Sequence, residues 1–203
     1  ADAAAKALNI SADGVLIGST GVIGKQIPID KLTAGIKVLA GKKNDTLENG
    51  TEAAKAIMTT DTRSKQVAVT VDIKGKKVTV GGMCKGAGMI HPNMATMLCF
   101  ITSDANIEKS ALQKMTSAIV DDSFNMISVD GDTSTNDTVL VMANGMAENE
   151  CIKENTPEYD EYFKALSYIL TELSKMIAGD GEGCTCLFEV KVINAKERQQ
   201  ART

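Results

Sequence analysis

The sequence predicts an α/β protein in which helices pack on largely antiparallel or mixed sheets. Two patterns indicate this class. Val67, Val69 and Val71 alternate with other residues, which is the period of a half-buried strand. Apolar side chains recur at spacings of three and four through residues 157–178, which is the period of an amphipathic helix. Segments of both kinds alternate along the chain, which contains no repeat and no low-complexity stretch.

The first 60 residues are predicted to form one strand and two helices. The apolar run 14–20 indicates a short strand that enters a glycine-rich turn. Residues 28–43 are expected to be helical, because Pro28 lies near the start of this segment and Gly41 near its end. A second helix is expected over residues 47–58.

The middle of the chain is predicted to form a hairpin, a strand and a helix. Residues 66–82 read as the hairpin, since "KGKK" supplies a turn between two alternating runs. Residues 97–103 follow as a strand. The helix is expected over 107–124, where Leu112, Met115 and Ile119 share one stripe.

The last third is predicted to hold two strands around one long helix. The strands are expected at 138–145 and at 187–195. The helix spans 157–178, and its apolar stripe consists of Phe163, Leu166, Leu170, Leu173 and Ile177.

Composition indicates an ordinary globular protein and excludes several functions. The chain has 203 residues, of which 43% are hydrophobic and 24% charged, enough for one sizeable core or two small ones. A net charge of -4 and an aromatic content of 3% argue against nucleic-acid binding. No apolar stretch is long enough to cross a bilayer, and the first residues resemble neither a signal peptide nor a natural start. We therefore expect a cytoplasmic protein and an internal piece of a longer chain.

The cysteines and the single histidine predict no metal site. Five scattered cysteines without a CxxC pair are typical of reduced thiols. Cys184 and Cys186 could supply two soft ligands, but their spacing of two places both on one face of a strand, which favours core packing. His91 is the only histidine, so zinc sites built from two or three histidines are excluded, and a triad would need His91 as its base.

Two glycine-containing loops resemble known ligand sites without matching them. In "GSTGVIGK" (18–25) five residues separate Gly18 from Gly24 where a phosphate-binding loop has four, and Gln26 replaces the expected Ser or Thr. The turn is either a plain strand-to-helix connection or an oxyanion hole made of backbone N–H groups beside the Thr20 hydroxyl. "DGDTSTND" (130–137) lacks the calcium-loop pattern and is predicted to be a loop of Asx and Ser/Thr turns.

A hydroxyl at the junction of Ala95 and Thr96 is the most unusual local feature. Thr96 directly precedes an apolar run and follows a loop rich in Gly, Pro and Asn. One interpretation is that Thr96 is an ordinary strand residue. The other is a nucleophile whose own α-amine acts as base, once the Thr96 hydroxyl has attacked the Ala95 carbonyl and the peptide bond has been cut.

Several motifs decide between these interpretations, because in this order they resemble the ornithine acetyltransferase family, the bifunctional glutamate N-acetyltransferases of arginine biosynthesis. They cover most of the chain, and the long central motif is specific. The motifs are "GSTGVIG", "TTDT" (59–62), "GGMCKGAGMIHPNMATML" (81–98), "SVDGDTSTNDT" (128–138) and "GDGEG" (179–183).

The resemblance implies a fold, a chain organisation and an activity. The fold is a layered α/β sandwich of mixed sheets flanked by helices, similar by convergence to the N-terminal nucleophile hydrolases. The precursor cleaves itself between Ala95 and Thr96 into α and β chains that form a heterotetramer. Residues 1–95 would then be the C-terminal part of the α chain and 96–203 the N-terminal part of the β chain, with the family's outer regions absent.

The implied activity is transfer of an acetyl group from N-acetylornithine to glutamate, without a cofactor; acetyl-coenzyme A is a further co-substrate of bifunctional members. Thr96 corresponds to the family's nucleophile and also contacts substrate. Thr20 and Gly21 correspond to its oxyanion hole, and Thr59, Lys85 and Glu182 to its substrate-binding positions. The alternatives are a self-processing amidohydrolase or aminopeptidase and a nonenzymatic binding module.

Overall fold

The computed structural model describes residues 1–91, 97–197 and 199–201, and its regular elements follow the predicted order in most places. The α-helices are α1 (Asp2–Leu8), α2 (Ile29–Ala40), α3 (Leu47–Ala56), α4 (Lys109–Asp121) and α5 (Pro157–Ala178). The strands are β1 (Lys65–Ile73), β2 (Lys76–Lys85), β3 (Leu98–Ser103) and β4 (Thr138–Ala143). Short 3₁₀ helices lie at Ala12–Gly14, Phe124–Met126 and Gln199–Ala201.

The four strands form one mixed sheet in the order β1-β2-β3-β4. β1 and β2 are an antiparallel hairpin, whose two-residue turn has positive φ at Lys74 and Gly75. β3 pairs antiparallel with β2 and parallel with β4, so its first residue, Leu98, lies between Lys85 and Thr138. The predicted α/β class, a mixed sheet flanked by helices, is confirmed.

Helix α5 covers β1 and β2 and supplies much of the core. It begins at a proline behind the Thr156 cap, whose hydroxyl accepts the backbone N–H of Tyr159. The predicted stripe faces the sheet and is buried, except that Phe163 is half-buried. Met115 and Ile119 of α4 are also buried, as the predicted stripe requires. This packing fixes the C-terminal end of α5 against the sheet.

Two predicted strands are wrong. Residues 15–20 and 187–193 adopt no regular structure, and residues 12–14 form a 3₁₀ helix. Ile17 and Phe188 are exposed, as are most apolar side chains of both segments. A strand needs a neighbour for its backbone N–H and C=O groups, and the described sheet gives these segments none. For the same reason Cys184 and Cys186 are exposed rather than packed in the core.

Candidate active site

Ala95 and Thr96, the predicted cleavage site and nucleophile, lie outside the described residues. The chain is described again from Met97, the residue that follows Thr96. The Met97 N–H donates to Asp137 Oδ1 at 2.8 Å, and the Thr138 N–H donates to the Met97 carbonyl at 3.1 Å. Met97 is therefore fixed against the start of β4 on the C-terminal side of the predicted nucleophile.

Lys85 ends β2 directly beside the start of β3. It is paired with Leu98 across the antiparallel ladder, and its side chain is 3% exposed. Its Nζ donates to Thr59 Oγ1 at 3.3 Å. Two predicted substrate-binding residues, 26 positions apart, are thus brought together.

The environment of the buried Lys85 leaves its ammonium able to bind an anion. Burial lowers the pKa of its ammonium, while the negative charges of Asp61, Asp137 and Glu182 oppose that shift. None of those carboxylates forms a described hydrogen bond with Nζ, so the ammonium keeps donors for a further acceptor. A carboxylate placed there would gain a charge-assisted hydrogen bond.

Glu182 reaches the same region from the glycine-rich turn after α5. Its N–H donates to the Ala87 carbonyl at 2.7 Å, which ties this turn to the segment that follows β2. A Cβ on Gly88 would lie 3.0 Å from Glu182 Cδ and Oε1, so a larger residue at position 88 would crowd the carboxylate in this position. Lys85 thus contacts Thr59, and Glu182 lies close enough for its charge to act on the Lys85 ammonium.

A buried ion-pair cluster, formed by Asp61, Lys65 and Asp180, joins the three segments that carry the predicted substrate-binding residues. Lys65 Nζ donates to Asp61 Oδ1 at 2.6 Å and to Asp180 Oδ2 at 2.5 Å. Asp61 also accepts the N–H groups of Gly86 and Thr59 at 2.8 and 3.1 Å. All three charged side chains are at most 3% exposed.

The cluster thereby fixes the backbone at or next to each predicted substrate-binding residue. Asp61 binds the backbone of Thr59 itself and of the residue after Lys85. Asp180, two positions before Glu182, accepts the N–H of Thr62 at 3.1 Å and its hydroxyl as well. Asp61 and Asp180 lie within motifs that carry the family resemblance, but no role is predicted for them from the sequence, and Lys65 lies outside those motifs.

Acidification should weaken the folded state through this cluster. Burial raises the pKa of Asp61, but the Gly86 N–H, Lys65 and the Thr59 N–H outweigh burial and leave that pKa below its ordinary value. Burial of Asp180 is likewise outweighed by Lys65 and Thr62, so its pKa is also lowered. A carboxyl group with a lowered folded-state pKa stabilises the fold above its unfolded pKa, and this contribution is lost as the pH falls through the folded value.

We therefore expect the free energy of unfolding of the full-length protein to fall below about pH 4. Asp180→Asn should be less stable at pH 7 and lose less stability on acidification, because one of the responsible carboxyl groups is gone. Denaturant unfolding at several pH values measures this, with the exposed Asp13→Asn as control. An acid dependence as steep in Asp180→Asn as in the wild type would contradict the assignment.

The predicted oxyanion-hole turn lies near the β3–β4 side of the sheet. A Cβ on Gly18 would lie 3.0 Å from the Phe100 ring and 3.6 Å from Thr138 Cγ2. Thr20 is half-buried and Gly21 is exposed. Among the described residues, no hydrogen bond joins Thr20 or Gly21 to Lys85, Thr59 or Glu182, so their role stays a prediction.

The described ranges contain neither a metal-binding arrangement nor a membrane span. No group of three or more His, Cys, Asp or Glu side chains in them could hold a metal ion. Within the same ranges no helix has the length and apolar character needed to cross a membrane.

Relatives of the chain share its sequence over nearly its whole length. It is 53% identical over 198 residues to the arginine biosynthesis bifunctional protein ArgJ of Caldanaerobacter subterraneus subsp. tengcongensis, covering 98% of this chain and 49% of that protein. It is 51% identical over 197 residues to the Bacillus subtilis protein of the same name, covering 97% of this chain and 48% of that protein.

A solved structure and a family model also match. The crystal structure of ArgJ from Bacillus halodurans is 52% identical and covers 42% of this chain and 40% of its own, with a TM-score of 0.41. The chain spans about half the length of the curated relatives it matches. The model of the ArgJ family matches residues 1–203. The resemblance inferred from the motifs is confirmed: the chain belongs to the ArgJ family.

Proposed function

We propose that this chain carries the acetyl-transfer centre of a self-cleaving enzyme of arginine biosynthesis, which moves an acetyl group from N-acetylornithine to glutamate. The family membership supports the reaction class, since its relatives are named as bifunctional proteins of arginine biosynthesis. The observation that carries the proposal is the buried Lys85, which is hydrogen-bonded to Thr59 and lies opposite the strand that begins two residues after Thr96.

Lys85 is suited to hold the group that both substrates share. N-acetylornithine and glutamate each have an α-carboxylate, and a buried ammonium beside the Thr59 hydroxyl offers it a charge-assisted hydrogen bond. Glu182 carries the opposite charge and suits the free amine of ornithine. Two anchors of opposite charge would fix one orientation of the donor against the nucleophile.

The cleavage that exposes the nucleophile begins with attack of the Thr96 hydroxyl on the Ala95 carbonyl. The peptide bond becomes an ester and frees the Thr96 α-amine; water then hydrolyses the ester and leaves a carboxylate on Ala95. Residues 1–95 and 96–203 would thus belong to separate α and β chains, which we propose assemble as a heterotetramer in the cytoplasm.

Acetyl transfer then proceeds by two balanced acyl transfers. The Thr96 α-amine takes the hydroxyl proton as the oxygen attacks the acetyl carbonyl, and it returns the proton to the departing ornithine amine. The glutamate amine attacks the resulting ester, giving N-acetylglutamate and free Thr96. We assign the Thr20 hydroxyl and the Gly21 N–H to the negative charge that develops on the acyl oxygen in both halves. Acetyl-coenzyme A would form the same acetyl ester on the Thr96 hydroxyl, with the thiol of coenzyme A as the leaving group.

Mass spectrometry of the full-length cleaved protein tests this scheme. Incubation with N-acetylornithine alone should add one acetyl group to the peptide beginning "TMLCF", and added glutamate should remove it as N-acetylglutamate. Parallel initial-rate plots are expected for such a two-step exchange. An acetyl group on another residue, or intersecting plots, would show that the ester route is wrong.

Two alternatives give different products in the same assay. A self-processing amidohydrolase or aminopeptidase would release acetate at a rate that glutamate does not change. A nonenzymatic module would remain one uncut chain and would not be acetylated.

A further inference from the structure

The loop of residues 128–138 contacts the chain on both sides of the segment 92–96. Its first residues bind the backbone of Met89 and Ile90, and its last residues bind Met97. The loop itself is built from Asx and Ser/Thr turns, as predicted: the Asp132 N–H donates to Asp130 Oδ1, and the Asn136 N–H donates to Ser134 Oγ. We call residues 128–138 the bracket loop.

Asp130 holds the upstream flank with both carboxylate oxygens. The Met89 N–H donates to Oδ2 at 2.5 Å, and the Ile90 N–H donates to Oδ1 at 3.0 Å. The Ile90 carbonyl accepts the Val129 N–H at 2.8 Å and the Ser128 hydroxyl at 3.2 Å. The upstream flank is thus bound through three consecutive residues of the bracket loop.

Met89 also adopts a backbone conformation that a non-glycine residue rarely takes. Its φ is +55°, in the left-handed region, where the Cβ of an ordinary residue crowds the backbone. Such a conformation persists where surrounding contacts impose it, and the Asp130 carboxylate binds the Met89 N–H directly. The bracket loop therefore sets the direction in which the chain enters the 92–96 segment.

Asp137 holds the downstream flank with one oxygen. Its Oδ1 accepts the Met97 N–H at 2.8 Å, and the next residue of the loop, Thr138, donates its N–H to the Met97 carbonyl at 3.1 Å. Asp137 is only half-buried, and its charge interacts with that of Lys85. The same loop thus fixes the two ends of a short segment that contains the Ala95–Thr96 bond.

We propose that Asp130 and Asp137 are positioning residues for self-cleavage, which hold the chain on both sides of the Ala95–Thr96 bond so that hydroxyl and carbonyl meet. The proposal rests on the proposed function, since it presupposes that this bond is cut. An intramolecular attack is fast only when the reacting atoms are held in a near-attack geometry, and the bracket loop binds the chain before that bond at Met89 and Ile90 and after it at Met97. After cleavage Asp130, in the β chain, would still bind Met89 and Ile90 of the α chain.

The two aspartates differ in how many oxygens they use, which makes the proposal specific. Asp137 needs one acceptor, so Asp137→Asn can keep its bond to Met97 through the amide oxygen. Asp130 uses both oxygens, so Asp130→Asn must place an amide NH₂ against a backbone N–H. If the two aspartates acted only through their negative charge, Asp130→Asn and Asp137→Asn would be cleaved at the same rate.

The experiment follows conversion of full-length precursor into two chains by pulse-chase synthesis and gel electrophoresis. Asp130→Ala, Asp137→Ala and Asp130→Asn should slow cleavage by about tenfold or more, the loss expected when a hydrogen bond to a charged group is removed. Asp137→Asn should cleave within about threefold of the wild type. Asp132→Ala is the matched control, because among the described residues Asp132 forms a hydrogen bond through its backbone N–H and none through its carboxylate, and it should cleave at the wild-type rate.

Melting temperatures separate positioning from folding. If Asp130→Asn is cleaved slowly although its melting temperature equals that of Asp137→Asn, the positioning role is supported. This comparison stands even if the alanine variants do not fold. Wild-type cleavage rates in all variants, or an Asp132→Ala defect as large as that of Asp130→Ala, would overturn the proposal. A wild-type chain that remains uncut would instead refute the proposed function.

Discussion

Replacing Thr96 by alanine in the full-length protein is expected to leave a single uncut chain and to abolish acetyl transfer. The substitution removes the hydroxyl that attacks the Ala95 carbonyl, so the α-amine that serves as base is never released. Loss of a catalytic nucleophile typically costs at least about a thousandfold in turnover, and here the base is lost with it. Gel electrophoresis, N-terminal sequencing and an N-acetylornithine–glutamate exchange assay measure both effects.

Two further variants give this prediction its controls. Thr96→Ser retains a hydroxyl at the same position and should still yield two chains. Thr102→Ala removes an exposed threonine hydroxyl from β3, the strand that follows Thr96 in the sequence, and should cleave and turn over like the wild type. Two chains with an unchanged N-terminus in Thr96→Ala would eliminate the hydroxyl attack and, with it, the nucleophile assignment.

Elements with strong local signals could be predicted from the sequence. Helix α5 begins at Pro157 and ends at Ala178, as its apolar stripe predicts, and the hairpin turns at Lys74–Gly75 within "KGKK". Such signals lie within a few residues of one another. The apolar runs at 14–20 and 187–195 have strand-like patterns too, but a strand also depends on a partner, which the pattern itself does not supply.

The candidate site divides in the same way. Motifs identified Lys85, Thr59 and Glu182; the structure joins Lys85 to Thr59 and places the Glu182 charge near Lys85, while Thr96 lies outside the described residues. The buried cluster could not be predicted, because Lys65 and Asp180 are 115 positions apart and a lysine in a strand is ordinarily a surface residue. The roles of Asp130 and Asp137 depend on backbone N–H partners about 40 positions away, which no local pattern reveals.

Neutralising Lys65, the lysine of the buried cluster, should lower the free energy of unfolding much more than neutralising an exposed lysine. Lys65 is 0% exposed and is the shared partner of Asp61 and Asp180. Lys65→Met removes the cation from two buried carboxylates and leaves each with backbone or hydroxyl donors alone. Breaking a buried pair by removing one partner typically destabilises a protein by about 3–5 kcal/mol, because the remaining charge has no counterion.

The position of the cluster adds a second expected effect. Asp61 binds the N–H groups of Thr59 and Gly86, so movement of Asp61 away from a lost partner would displace both Thr59 and the end of β2 that carries Lys85. If Lys85 holds the substrate carboxylate, any Lys65→Met protein that folds should show a raised KM for N-acetylornithine and for glutamate alike.

Denaturant unfolding of the full-length protein measures the first effect, with Lys55→Met as the matched control. Lys55 forms an exposed ion pair with Glu52 at 2.9 Å, and exposed pairs contribute at most about 1 kcal/mol. The double variant Lys65→Met, Asp180→Asn should be more stable than Lys65→Met alone, because it removes one uncompensated charge while the amide oxygen still accepts the Thr62 N–H and the amide NH₂ faces the Thr62 hydroxyl. Equal losses of stability in Lys65→Met and Lys55→Met would mean that the buried cluster does not hold these three segments together.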